Sequence, residues 1–390
     1  MVAIPTRPES PSFLERAGVL FFDRAGGAWT GLMILTYMFA LMGIQSAPAF
    51  SMWAFANRDP GPFPWQQVFA SSLIIGGIMF FFTAVQGLSG RMLDLGLIPG
   101  TKPLGIPSSD YLVPYLIDTL AAHYPWFLGL LAVCALAAMQ STGAAYMSTA
   151  SGIITRDLYR HFFNREASQK TQVLCGRISV GIVISMALIV GLTSGDVLVL
   201  LGGLAVSYGF QMWPALLGIC YIRFFTGKGV AWGLAAGLTA VTFTYITELG
   251  GLIGIGRYPL TLHSAGWGIF FNLLVTITVS ALTQGRGEDD VHRSRYHDFL
   301  RQHTALSADK KKWKKPAWIL TIVWFLFAIG PFAVLGNETD PALWHFGIPT
   351  IWLWQVAWWV VGCIMMYMLA FKLEMSTVPH GEVEATAQDI

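Results

Sequence analysis

Nine stretches of the chain stay apolar and nearly uncharged for long enough to cross a bilayer, which takes a helix of about 20 residues. They run over 31–56, 67–88, 127–154, 172–193, 197–222, 230–247, 265–283, 317–336 and 348–371. Shorter polar segments rich in Gly, Pro and charge separate them. The pattern predicts an all-α, polytopic membrane protein with about nine transmembrane helices. The segment 89–126 is long and holds Pro99, Pro103, Pro107 and Pro114. Its Tyr111–Ala122 portion is weakly amphipathic, which predicts short helices capping one face of the bundle. The first 30 residues mix Pro, Glu, Arg and Gly, with an amphipathic piece over Phe13–Asp23, and do not form the basic-then-apolar pattern of a signal peptide.

Charge then sets the sidedness. With the N-terminus outside, the inner segments are 57–66, 155–171, 223–229, 284–316 and the C-terminal tail, and they hold 17 of the 24 Lys and Arg. The outer segments hold six. Excess Lys and Arg marks the cytoplasmic side, so the protein is expected in the cytoplasmic membrane. Trp126, Trp213, Trp267, Trp318, Trp344 and Trp352 fall at span ends, where amphipathic rings sit in the interface. The resulting organisation is an extracellular segment over 1–30, a seven-span core over 31–284 and a basic cytoplasmic linker over 285–316. Two further spans over 317–371 and a cytoplasmic tail over 372–390 complete it. The linker carries Lys310, Lys311, Lys312, Lys314 and Lys315 and is expected to lie on the anionic inner leaflet.

Composition narrows the function classes. Hydrophobic residues make up 54% of the chain and charged ones 12%, about half the share of a soluble domain. The net charge of +2 is spread over loops rather than gathered on one face, which gives no footprint for nucleic acid. Cys134, Cys175, Cys220 and Cys363 are scattered through apolar segments and read as packing residues. The eight histidines lie in loops or at span ends. No convergent His, Cys, Asp or Glu set sits within a span, so no cofactor and no enzyme activity are expected. No span carries Asp, Glu, Lys or Arg near its middle, which favours a metal cation held by neutral oxygens over a proton on an ionisable group.

The stretch Ala137–Arg160 reads AAMQSTGAAYMSTASGIITRDLYR. At 100° per residue Ala138, Ser141, Thr142, Ala145, Ser148, Thr149 and Gly152 gather on one side. Such a small, hydroxyl-rich stripe serves one of two ends. It brings a neighbouring helix close, its hydroxyls bonded to carbonyls one turn back, or it offers oxygens to a small cation in place of water. A second stretch, Leu41–Asn57, interrupts its apolar run with Gly43, Gln45, Ser46 and Pro48. Proline removes a donor, so the helix is expected to kink or unwind there, with Gln45 and Ser46 as polar groups for a substrate. An unwound backbone is tolerated at membrane depth only against protein or a water-filled cavity. A third, Leu200–Leu234, carries Gly202, Gly203, Gly209 and Pro214 with Tyr208 and Gln211; it reads as a bendable span whose polar groups reach a solute or bond within the bundle.

The first stretch resembles the signature helix of the sodium:solute symporter family, the group that includes the sodium/proline and sodium/glucose symporters. The matching features are the small pair Ala137-Ala138, the hydroxyl pair Ser141-Thr142, the further hydroxyls Ser148, Thr149 and Ser151, and the ending Asp157-Leu158-Tyr159-Arg160. The resemblance covers residues 10–284. It implies a LeuT-like fold of two inverted repeats, with ion and solute held mid-membrane by broken helices. It implies sodium as the coupling ion, bound by the Ala138 carbonyl and the Ser141 and Thr142 hydroxyls. It further implies that the Leu41–Asn57 helix is discontinuous and lines the solute site, and that Leu200–Leu234 is a gating helix. Counted back from the signature helix, the chain begins before the first helix of the second repeat. The expectation is therefore a piece of a longer transporter, or one subunit completed by a companion chain that supplies the first repeat. The function implied is sodium-coupled symport of a small organic solute. The alternative is a sensory or accessory membrane module derived from a transporter, which the short tail after Glu374 disfavours.

Overall fold

The computed structural model describes residues 31–56, 59, 61–96, 100, 102–106, 111–122, 124–193, 198–246, 257–285, 288–303, 305–329, 331–336, 345 and 350–374. The expectations for 1–30, Pro99, Pro107, Trp344 and the tail beyond 374 lie outside them. The described residues form helices and short connections, with no strand among them. Six helices are long and apolar enough to cross a membrane: Phe63–Asp94, Pro125–Phe163, Gln169–Thr193, Leu201–Cys220, Ser264–Leu282 and Thr350–Lys372. They coincide with six of the nine apolar runs. The remaining runs behave differently. Run 31–56 is cut into α1 (Gly31–Leu41), α2 (Gly43–Ser46) and α3 (Pro48–Ala56). Run 317–336 divides into an α-helix over Lys314–Trp324, a π-helical Phe325–Ile329 and a 3-10 turn over Pro331–Gly336. Run 230–247 is one helix, Gly227–Tyr245, that its Gly, Thr and Lys228 keep less apolar.

The remaining helices are α4 (Phe63–Asp94), α5 (Leu112–Ala121), α6 (Pro125–Phe163), α7 (Gln169–Thr193), α8 (Leu198–Phe210), α9 (Trp213–Cys220) and α10 (Gly227–Tyr245). After them come α11 (Ser264–Leu282), α12 (Glu288–His303), α13 (Ala308–Lys311), α14 (Lys314–Trp324) and α15 (Thr350–Lys372). The chain falls into two compact units, one of residues 1–46, 57–77 and 203–390, the other of 47–56 and 78–202.

The first unit is built on the pair α10 and α11. On α11, Ser264, Gly268, Asn272, Thr276 and Ser280 recur every fourth residue, so they form one stripe, and all five are buried. Facing them on α10 are Gly229, Gly233 and Gly237, also four apart. A Cβ at Gly229 would lie 2.1 Å from Ser280 Oγ, and one at Gly233 would lie 1.9 Å from Thr276 Oγ1. Only hydrogen at these positions lets the backbones approach so closely. Hydrophobic burial gives membrane helices little reason to associate, so this contact rests on van der Waals packing and on hydrogen bonds between helices. At one end of the pair Thr226 Oγ1 meets Thr283 Oγ1 at 2.8 Å; at the other, His263 N donates to Thr36 Oγ1 at 2.9 Å. The segments 223–229 and 284–316, both read as cytoplasmic, therefore start from the same end of the pair.

In the same unit α14 and α15 are joined by indole groups. Trp324 Nε1 donates to Trp358 O, and Trp354 Nε1 and Gln355 Nε2 donate to the carbonyls of Phe327 and Ala328 at 2.9 and 3.1 Å. Those carbonyls lie in the last turn of a helix, where side-chain donors commonly bond them. Trp359 Nε1 bonds Ser72 O at 2.9 Å, lying against Gly76 and Gly77.

In the second unit α6 is α-helical to Gly152 and continues as a π-helix through Phe163. Its tie to α7 is Ser151 Oγ donating to Gly176 O at 3.1 Å. Most of α7 faces outward with large apolar side chains, among them Ile178, Ile182, Met186, Ile189 and Leu192, as a lipid-facing helix does.

Candidate functional site

The candidate residues divide between the two units, and each group has its own geometry. Ala138, Ser141 and Thr142 lie on α6, all three exposed. Ser141 Oγ donates to Ala138 O at 2.9 Å, the bond one turn back that hydroxyls in membrane helices commonly make. Two of the oxygens assigned to an ion thus already share one small volume. Further along the helix, Thr149 is buried and Ser151 is engaged with α7.

In the first unit the structure brings two helix interruptions side by side. The chain leaves helical form at Met42 and again at Ala47, on either side of the one-turn α2. It does so again at Gln211 and Met212, between α8 and α9. Pro48 has no N–H to donate and presses the residue before it out of the helical region, which places the bend at Ala47. Pro214 stands within the first turn of α9, where a missing N–H costs nothing. The two breaks are cross-linked: Trp213 Nε1 donates to the carbonyl of Met42 at 2.9 Å, and Ser46 Oγ donates to Gly209 O at 2.7 Å. Gly43 permits the approach, because a Cβ there would lie 1.9 Å from Val206 O.

Ser46 is therefore buried against the Tyr208–Gln211 segment, while Gln45 is exposed. Tyr208 hydroxyl pairs with Thr242 Oγ1 at 2.8 Å. Gln211, 1% exposed, is held at both ends of its amide. Its Nε2 donates to Ser207 O at 3.1 Å, and its Oε1 accepts from Asn272 Nδ2 at 3.3 Å. Asn272 Nδ2 also donates to Gln211 O at 2.8 Å, and Asn272 Oδ1 accepts from Thr276 at 3.1 Å. Every polar atom in this chain of amides has a partner, so it rigidifies the turn at 211–212. The sequence reading missed Asn272 and Thr276. The signal was present in their four-residue spacing with Ser264, Gly268 and Ser280.

Beyond that turn, His263 caps the N-terminus of α11 and is completely buried. Its Nδ1 meets Ser207 Oγ and Ala265 N, both at 3.4 Å, and its ring stacks on Tyr258 and meets Tyr37 edge-on at 4.9 Å. Burial, followed by the charge of Arg257, lowers its pKa to about 4, so the ring is neutral at physiological pH.

With broken helices paired and a hydroxyl-bearing stripe on α6, comparison with known proteins becomes informative. Residues 66–237 match the sodium:solute symporter family. The matched segment contains all of α6 and α7, and Tyr208 and Gln211. The osmoregulated proline transporter of Bacillus subtilis is 26% identical over 181 residues, which are 46% of this chain and 35% of that protein. The sodium/proline symporter of Staphylococcus aureus is 27% identical over 195 residues, 48% of this chain and 37% of that one. An uncharacterized symporter of Cupriavidus necator is 28% identical over 165 residues, 40% of this chain and 24% of its own length. The chain thus spans less than two fifths of each of these relatives. No solved structure matches. The chain is a multi-pass membrane protein.

Proposed function

We propose that this chain works in sodium-coupled symport of a small organic solute across the cytoplasmic membrane, crossing it about nine times in the second half of a LeuT-like fold. The observation that carries the reading is the Ala137–Arg160 segment: it lies inside the symporter match and presents its neutral oxygens on an accessible face of α6. A sodium ion draws Ser141's lone pairs once the hydroxyl hydrogen turns from the Ala138 carbonyl. The two oxygens, now both facing the ion, supply part of its shell, with Thr142 beside them. Because this face is exposed among the described residues, the remaining oxygens are assigned to a companion segment that also completes the solute site.

The solute side is assigned to the paired helix breaks, with Gln45, Ser46, Tyr208 and Gln211. Broken helices expose backbone dipoles at membrane depth, the way carriers of this architecture hold solute and ion. Ser46 and Gln211 act by fixing the two breaks against each other; Gln45 and Tyr208 offer the more available polar groups. Sodium entering down its gradient stabilises the outward-open state, and solute then permits closure and inward release. The named relatives make proline the first solute to try, ahead of other amino acids, carboxylates and vitamins. The test is uptake of a labelled solute panel by cells producing the chain together with the product of its upstream neighbour. Uptake should require external sodium and vanish when potassium replaces it; uptake of every solute at equal rates in both media would refute the proposal.

A further inference from the structure

The strongest feature outside the proposed transport machinery is a cavity of about 800 Å³ where α9, α10 and α12 meet. Ala215, Ile219, Phe225 and Val230 give it apolar lining, and Ala215 and Ile219 lie on a helix long and apolar enough to cross a membrane. Lys228 and Arg293 bring positive charge to the lining, and the surrounding segments 223–229 and 284–316 are those read as cytoplasmic. Lys228 is exposed and makes no ion pair among the described residues. Arg293 is pinned in place: it pairs with Asp290 and donates to Gln284 Oε1 at 2.8 Å and to Phe225 O at 3.4 Å. Its Nε–H, though buried, has no acceptor. Arg223 bears on it as a like charge. Arg223 is itself held to Ser294 at 2.7 Å and to Asp298 at 3.5 Å, so neither guanidinium turns away freely.

One carboxylate, Asp290, also lines the cavity, and both of its oxygens are occupied, by Arg293 and by Gly285 N. What remains is a guanidinium donor without an acceptor and an ammonium without an ion pair among the described residues, in a cavity that also has apolar lining. An anion satisfies the first set and a hydrocarbon chain the second. The volume is that of a site for a medium-sized organic ligand, well beyond a bare phosphate.

We propose that this cavity binds the phosphate headgroup of an anionic phospholipid of the inner leaflet, with the start of an acyl chain against Ile219, Phe225 and Val230. Basic pockets between helices on the cytoplasmic side take anionic headgroups in this manner. The proposal rests on the membrane sidedness read from the charge distribution and not on the identity of the transported solute.

The test is native mass spectrometry of the full chain in detergent, titrated at constant ionic strength. The probes are dioctanoyl phosphatidylglycerol, dioctanoyl phosphatidylcholine and inorganic phosphate. Phosphatidylglycerol should bind most tightly, and Lys228→Gln should weaken it about fivefold while leaving phosphatidylcholine unchanged, the loss of one near-surface lysine contact. Lys314→Gln should change nothing. Arg293→Gln disturbs four neighbours, so Lys228→Gln carries the decision. Equal binding of the two lipids, or full binding by Lys228→Gln, overturns the site. Inorganic phosphate binding as tightly as phosphatidylglycerol overturns its assignment to lipid.

Discussion

Gly233→Ala puts the close pairing of α10 and α11 to the test. The added Cβ would stand 1.9 Å from Thr276 Oγ1 and 2.7 Å from the backbone oxygen of Asn272. Thr276 can rotate its hydroxyl aside, at the cost of its 3.1 Å bond to Asn272 Oδ1. The Asn272 carbonyl belongs to α11 itself and cannot. For an ordinary contact of about 3.5 Å the helices must part by roughly 0.8 Å at that point. Overpacking of this kind costs about 1–3 kcal/mol, and an unpaired buried amide oxygen about 1–3 more. Alanine's better helix propensity returns only about 0.5–1 kcal/mol. The net expectation is a loss of about 1–5 kcal/mol, read as a lower thermal midpoint of the purified protein in detergent, followed by tryptophan fluorescence. Gly181→Ala on α7 is the control: nothing lies within 4 Å of its Cβ, so it should be neutral or slightly stabilising. If Gly233→Ala melts at or above the wild type, the close approach of α10 and α11 is refuted.

Two further predictions concern the buried polar groups. Asn272→Leu and Gln211→Leu should each destabilise by about 1–3 kcal/mol, because each strands the other amide, whereas the double variant should cost less than the sum; additive losses would show that the two do not share a bond. His263 predicts an acid-sensitive window. Below pH 6.5 the unfolded chain takes up a proton that the folded chain refuses until about pH 4, so stability should fall across that interval and level off beneath it. The shift corresponds to about 3 kcal/mol, an upper figure for a ring flanked by Arg257 and two tyrosines. His263→Gln should flatten the profile between pH 6.5 and 4, and an unchanged slope would assign the sensitivity to another group.

The apolar runs made the membrane class legible, since it follows from transfer energies that depend on composition alone. The proline-marked breaks were also readable in kind. Their placement was not: the first interruption falls at Met42, six residues before Pro48, where Gly43 admits α8 and Trp213 captures the carbonyl. That outcome depends on contacts with residues 163 and 171 positions away. The α11 stripe escaped notice because Ser, Gly and Thr barely lower the mean hydropathy of a span, so its four-residue period was hidden inside an apolar run. Gln211 illustrates a different limit. A polar residue in a bendable span serves a solute or a neighbouring helix equally well on paper, and Asn272, distant in sequence, is what engages it. Of the residues proposed for sodium, the helix that carries them was legible; the Ser141–Ala138 bond was one of two arrangements the same residues allowed.

The central claim is that neutral oxygens on α6 hold the coupling ion, and sodium titration of Ser141→Ala in the assembled transporter addresses it most directly. Initial uptake of labelled solute is recorded at saturating solute over a range of sodium concentrations. The account predicts a half-saturating sodium concentration raised about tenfold, as expected for losing one oxygen contact to a cation, with solute affinity at saturating sodium unchanged. Identical uptake by variant and wild type at low sodium would contradict it.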